Sequence, residues 1–284
     1  MPEPTYQRLA VIGVGLIGGS VALAARARGL AGRVVGYARS DASEKRLREL
    51  GVVDEVAREI PAAVDGADFV VVATPVGAAA SAAQSALRHA PKHALVTDAA
   101  STKARLVERV VRDAGEAASR FVGAHPLAGD HRAGAEFARA DLFDGAATVI
   151  TPVAGASDDA QHRVAAFWEA LGSRVYALSP AEHDARLART SHLPHVAASA
   201  VAAITPEADL SLAATGWADT TRVAAGSPSL WRDILLANSE ATAEAVDRLR
   251  EELAQMAVAL HAADGDQIEK ILQRGKRRRD ALGG

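Results

Sequence analysis

The chain has 284 residues, 49% of them hydrophobic and 24% charged, with a formal net charge of −3 and no cysteine. That length favours two domains over one core, and the near-neutral balance gives no electrostatic case for nucleic acid or an anionic membrane. Absent cysteine excludes disulfides, thiolate catalysis and Cys-ligated metals. With no apolar run of the roughly 18 residues a membrane span needs, and no basic-then-apolar leader, a cytoplasmic protein is expected.

The first predicted strand, Leu9–Gly13, runs into Gly13-Val14-Gly15-Leu16-Ile17-Gly18 and an Ala-rich helical pattern reaching about Gly29. A buried strand, a Gly-x-Gly-x-x-Gly turn and a helix form the dinucleotide-binding fingerprint. Gly13 permits the tight turn, and Gly15 lets the backbone approach a pyrophosphate. Gly18 lets the helix pack on the strand, so that the first-turn amides around Leu16 and Ile17 face the phosphates.

Further strands are predicted at Arg33–Tyr37, Phe69–Thr74, Ala94–Asp98, Phe121–Ala124 and Ala147–Thr151. A last one, Arg174–Leu178, follows a helix around Ala160–Leu171. Ala/Leu/Arg-rich helical segments lie between them. Such alternation predicts an α/β fold, a Rossmann-type doubly wound, mostly parallel sheet that binds ligands at the carboxyl ends of its strands. Thr74 and Pro75, at one such end, join the expected cofactor-binding set. The second strand ends in Tyr37-Ala38-Arg39-Ser40, with Ala38 where an NAD-preferring site carries an acid. Arg39 and Ser40 offer donors to a 2′-phosphate, so NADP is favoured over NAD, with Asp41 near enough to compete.

From Pro180 to Leu282 no alternating strand is predicted, only helical patterns broken at Thr205-Pro206, Gly216 and Gly226-Ser227-Pro228. Glu182–Ile204, Leu230–Ala263 and Gln267–Leu282 are long, and their apolar faces must cover one another or a partner chain. The expected division is a dinucleotide-binding domain at 1–179 and a helical substrate and dimerisation domain at 180–284, giving a homodimer. The basic run Arg274-Gly275-Lys276-Arg277-Arg278-Arg279 reads as a solvated helix end, where cations are favoured, rather than as a nucleic-acid site.

A cofactor fold alone does not name a substrate; five later segments say more. Ser101-Thr102-Lys103 follows one strand end, and His125-Pro126-Leu127-Ala128-Gly129 lies at another. Ser191-His192-Leu193-Pro194-His195 falls within the first long helical segment, followed by Thr221-Arg222 and Trp231-Arg232-Asp233. In this order the motifs resemble the prephenate/arogenate dehydrogenase family of tyrosine biosynthesis, across nearly the whole chain. The resemblance implies a Rossmann-type domain joined to an all-helical dimerisation domain. It also implies NADP- or NAD-dependent oxidative decarboxylation of prephenate to 4-hydroxyphenylpyruvate, of arogenate to tyrosine, or of both.

That chemistry requires a base of near-neutral pKa at the substrate hydroxyl, for which imidazole suits best. The resemblance puts His125 in the role. Ser101 stands beside it, bonding the same hydroxyl or fixing the imidazole tautomer. A dianionic substrate needs fixed cations; the resemblance assigns its carboxylate to Arg222, with His195 helping to hold it. His192 is expected to be structural, and Trp231 to be core with an edge on the pocket. His183 and His131 can be imagined with His125 as metal ligands, but no acidic or Cys partner has ligand spacing and no metal is expected. Asp130-His131 and Trp217-Ala218-Asp219 depart from some relatives, which carry an acid and a lysine there. Asp130 or Asp219 suits the ammonium of arogenate, and equally a helix cap, so the substrate stays open.

Two alternatives remain at this level. A β-hydroxyacid dehydrogenase shares the layout but usually relies on a lysine of its helical domain, whereas Lys270 and Lys276 lie in charged patterns. A non-catalytic NADP-sensing regulator would need neither base nor arginine. The chain has no room for a fused mutase or amino-acid-sensing domain, so any control by tyrosine is expected at the active site.

Overall fold

The computed structural model describes residues 3–129, 132–153 and 155–282. Among these, the strands are β1 (Tyr6–Ile12), β2 (Ala31–Tyr37), β3 (Glu55–Ala57), β4 (Phe69–Val72), β5 (Leu95–Asp98), β6 (Phe121–Pro126), β7 (Ala147–Pro152) and β8 (Arg174–Ala177). The helices of the sheet region are α1 (Leu16–Ala27), α2 (Asp41–Leu50), α3 (Ile60–Val64), α4 (Val76–His89), α5 (Ala104–Ala114) and α6 (Asp158–Ala170). Those that follow are α7 (Pro180–Leu187), α8 (Leu193–Ile204), α9 (Thr215–Thr221), α10 (Pro228–Ala237), α11 (Ser239–His261) and α12 (Gly265–Asp280).

The strands form one sheet in the order β3-β2-β1-β4-β5-β6-β7-β8, parallel at every pairing except β6 with β7. All four residues of β4, Phe69-Val70-Val71-Val72, are buried, because helices cover both faces of the sheet and leave no polar side. On one face α1 and α6 bury Val21, Ala25, Val164 and Trp168, and Phe167 stacks on Phe69 with ring centroids 4.3 Å apart. On the other face Ala79, Ala83, Leu87, Leu106 and Val110 from α4 and α5 pack against Val70, Val72 and Phe121. The chain order runs outward from β1 through β2 to β3, then returns to β4 on the opposite side of β1. That reversal opens a crevice at the carboxyl ends of β1 and β4.

The sheet carries one strand more than the sequence predicts. β3 has three half-buried residues at the sheet edge, too short and too polar for a period-two signal. No strand follows Ala177 among the described residues. α7 starts at Pro180 behind a capping box in which Ser179 and Glu182 satisfy each other's backbone amides. The helix expected over Glu182–Ile204 is widened into a π turn at Ala188–His192. Pro194 lacks an N–H, and its ring crowds the carbonyl four residues earlier, so the helix loosens there instead of ending. The segment expected as one helix over Leu230–Ala263 divides at Asn238, between α10 and α11. α11 and α12 leave Leu253, Val258, Leu260 and Leu272 exposed. No helix among the described residues is long and apolar enough to cross a membrane.

Candidate active site

At the β1–β4 crevice each glycine of the turn does a different job. Gly13 has φ +96°, and a Cβ there would meet the Ala73 carbonyl oxygen at 2.6 Å. A Cβ on Gly18 would collide with the Gly13 carbonyl, so the helix can approach the turn only without one. In front of Gly15 there is nothing within 4 Å, a space that any side chain would fill. α1 begins with no side-chain cap and no acid in its first turn, which leaves the amides around Leu16 and Ile17 for an anion. Across the crevice the Thr74 hydroxyl oxygen is buried without a partner, and Pro75 precedes α4. An open cradle, free amides and an orphaned hydroxyl fit a dinucleotide pyrophosphate.

Next to this, Ala38 is buried and Arg39 is exposed. Ser40 caps α2 by accepting from the Ser43 amide at 3.2 Å. Asp41 and Glu44, the acids of that first turn, both pair with Arg58. Asp41 thus shares the Arg58 guanidinium with Glu44, which lessens its repulsion of a ligand phosphate.

Two strands further along the sheet, the ends of β5 and β6 are locked together by a buried carboxylate. Asp98 accepts from the Ala100 amide at 2.8 Å and the Ala124 amide at 3.1 Å, and it pairs with the fully buried ammonium of Lys103. Burial pulls the Lys103 pKa down, against the upward pull of Asp98. The loop that carries Ser101 is therefore fixed against the strand that carries His125. Ser101 is half-buried.

His125 is half-exposed near the carboxyl end of β6. Its Nδ1 lies 2.9 Å from Nε2 of His183, a fully buried residue of α7. The His183 Nδ1 is in turn 2.8 Å from Oδ1 of Asp184. Asp184 also accepts from the Lys103 amide at 2.8 Å and the Ala104 amide at 2.9 Å, the opening of α5. Burial opposes the Asp184 charge, but the bonds from His183 and the two amides outweigh it and hold its pKa below the usual carboxylate value. Burial is the largest influence pushing His125 well below the ordinary imidazole value, and the electropositive surroundings, Lys103 among them, act in the same direction. The ring is thereby neutral, and a proton acceptor, at neutral pH.

The helical half contributes a second cluster. His192 is buried, and its Nδ1 lies 3.2 Å from the Asn238 side-chain nitrogen, which also donates to the Asp184 carbonyl at 2.8 Å. One turn on, His195 stacks on Trp231 at 3.6 Å between centroids and 12° between planes. The Nδ1 of His195 is buried without a partner. Burial lowers its pKa, and the Val223 backbone pulls the other way. Trp231 is half-buried. Arg222 is exposed at the end of α9, with Asp219 exposed one turn before it. Asp130 and His131 lie outside the described residues.

The structure thus joins His125 to His183, Asp184, Lys103 and Asp98, and joins His195 to Trp231, while no hydrogen bond among the described residues links the two groups. Sequence reasoning missed Asp184 and weighed His183 only as a metal ligand. The signal was an adjacent His-Asp pair directly behind a capping box. What these parts can do together is accept a proton beside an anion-binding turn, the pairing that hydride transfer from an alcohol requires.

Comparison with known proteins points the same way. The family model for the nucleotide-binding domain of prephenate dehydrogenase matches residues 21–177, and the model for its dimerization domain matches residues 179–274. A cyclohexadienyl dehydrogenase of Zymomonas mobilis is 31% identical, over 98% of this chain and 96% of its own. The crystal structure of Aquifex aeolicus prephenate dehydrogenase with hydroxyphenyl propionate and NAD+ superposes with a TM-score of 0.88 at 30% identity, covering 97% of this chain and 98% of that one. Synechocystis arogenate dehydrogenase gives a TM-score of 0.83 at 27% identity, with 97% and 100% covered. A 3-hydroxyisobutyrate dehydrogenase of Mycobacterium tuberculosis and a 3-hydroxybutyryl-CoA dehydrogenase of Ralstonia eutropha match at 16% and 14% identity, a likeness of fold alone.

Proposed function

The chain belongs to the prephenate dehydrogenase family, and on that premise we propose that it catalyses the oxidative decarboxylation of a cyclohexadienol, prephenate or arogenate. The observation that carries this reading is the placement of His125. It is a neutral, half-exposed imidazole on the same sheet edge as the glycine cradle, with one ring nitrogen held from behind.

Bound against Gly13, Gly15, Gly18 and Thr74, a nicotinamide dinucleotide supplies the hydride acceptor. His125 takes the proton of the substrate's C4 hydroxyl as the C4 hydrogen leaves with its electron pair. The C1 carboxylate departs as carbon dioxide, and its bonding electrons complete the aromatic ring. Ser101 bonds the same hydroxyl. Arg222 and His195 hold the carboxylates, so the helical domain, beginning at residue 180, delivers the substrate to the domain of residues 1–179. The exposed leucines of α11 and α12 are covered in a homodimer. A cytoplasmic location suits a reaction on diffusible substrate and cofactor.

NADP is the favoured cofactor, supported by Ala38 in the acid's place, an exposed Arg39, Ser40 at a helix start and an Asp41 already paired with Arg58. The test mixes the protein with prephenate or arogenate and with NADP or NAD, and follows reduced-nicotinamide absorbance. Turnover in at least one combination is expected, and none in any of the four overturns the activity. Fluorescence titration is expected to show tighter NADP than NAD binding, and the reverse order removes the cofactor preference.

A further inference from the structure

We infer that Asp184 and His183 are positioning residues for His125, a proton-ordered relay that fixes its tautomer and leaves Nε2 as the basic nitrogen. The inference rests on the reading of His125 as the base. Its ground is the order in which the three side chains can share protons.

An ionised Asp184 has only lone pairs to offer. It already accepts two backbone amides from the start of α5, an arrangement that favours its charged form. The atom 2.8 Å from it, Nδ1 of His183, must therefore hold a proton. A neutral His183 then has a bare Nε2, the atom 2.9 Å from Nδ1 of His125. His125 must place its own proton on Nδ1 to complete that bond. What remains is a lone pair on Nε2, on the side away from α7. The bond also restrains the ring, because it ties β6 to α7, whose Asp184 is itself bonded to the start of α5.

The titratable groups facing this line come from three elements. Lys103 and Asp98 face it from the β5–α5 segment, Asp184 from α7 itself, and His192 from the π turn after α7. The competing arrangement is a His183 imidazolium that donates from both nitrogens, which would force the His125 proton onto Nε2 and block the base. The two arrangements differ in the number of protons on His183, which nitrogen-15 shifts read directly. The relay also outlasts the proton transfer. Once Nε2 has taken the substrate proton, the Nδ1–H of the imidazolium still donates to His183, with the Asp184 charge behind it.

Long-range 15N–1H correlation spectra of the resting protein at neutral pH read the tautomers directly, without turnover. Both His125 and His183 are expected to carry their proton on Nδ1. A His125 protonated on Nε2, or a His183 imidazolium, overturns the relay. His183→Leu is expected to lower kcat about 100-fold, within the range for general-base loss. Substrate KM and cofactor Kd should stay within about twofold, because His183 is fully buried behind His125. The loss should persist on the high-pH plateau, since a wrong tautomer is not mended by removing protons. His183→Gln keeps an amide oxygen to accept from His125 and an amide N–H to donate to Asp184. It is expected to recover about tenfold of the lost rate. A His183→Leu protein within threefold of wild-type kcat overturns the inference, as does a loss that high pH restores. If that variant does not fold, the wild-type spectra decide alone. Correct tautomers with no turnover would strike the proposed activity and leave the relay standing, and turnover with the wrong tautomers would do the opposite.

Discussion

The strand-end cluster around His125 and the helical cluster around Arg222 are built on opposite principles. Around His125 the acceptors are committed inside the chain: Asp98 takes three donors, and Asp184 takes two amides and an imidazole. Around Arg222 the groups stand open. The guanidinium is exposed and the His195 Nδ1 is unpartnered. A base must have its proton state settled before substrate arrives, whereas a carboxylate site gains by keeping its cation unspent. Rate should therefore break at the first cluster and affinity at the second.

The largest effect tests the first cluster at its centre. His125→Asn removes the proposed base and is expected to lower kcat by roughly 10²–10⁴-fold, with cofactor Kd in fluorescence titration unchanged. A variant keeping half the wild-type rate would end the assignment. Next comes Lys103→Met, which leaves the Asp98 carboxylate buried beside two amides without its counter-ion. Breaking a buried pair from one side costs about 3–5 kcal/mol, to be read from urea unfolding. A loss under about 1 kcal/mol would mean that Asp98 is solvated after all.

His192 sits on the border between the clusters and sharpens their contrast through pH. Burial, the largest influence, lowers its pKa from 6.5 to about 4. Above pH 6.5 the folded and unfolded chains are both neutral there, and the full stability is present. Between pH 6.5 and 4 the unfolded chain binds a proton that the folded chain refuses, so stability falls as pH falls. The slope is about 1.4 kcal/mol per pH unit, or about 3 kcal/mol in all. His192→Gln should flatten that part of the stability curve in unfolding titrations. Parallel curves for variant and wild type would show that His192 is not held neutral.

The same contrast explains what could be read without coordinates. The sheet, the crevice and the glycine turn were legible because apolar runs, their alternation with helical periods and Gly13, Gly15 and Gly18 are local signals. Ser101, His125 and Arg222 came from motifs, each continuous in sequence. What escaped was non-local or too short. β3 is three residues at an edge, and the π turn arises from Pro194 acting on a carbonyl one turn back. The His125–His183 contact spans 58 positions, a separation at which residue spacing carries no information and only topology brings the rings together.

The smallest effect separates the two clusters most cleanly. Arg222→Ala removes an exposed side chain, so the unfolding midpoint should not move. A hydrogen bond to a charged group contributes about 1.5–3 kcal/mol, so substrate KM should rise about 10- to 100-fold. With kcat nearly unchanged, that is the pattern for binding common to ground and transition states. Arg222→Lys should recover only part of the affinity, because an ammonium restores the charge without the planar two-donor fork. If kcat fell as far as KM rose, Arg222 would belong with the base, its contact made only in the transition state, and the separation of rate from affinity would not hold. If neither parameter moved, the exposed guanidinium would be ordinary surface, and the buried His195, with its open Nδ1, would have to hold the carboxylate without it.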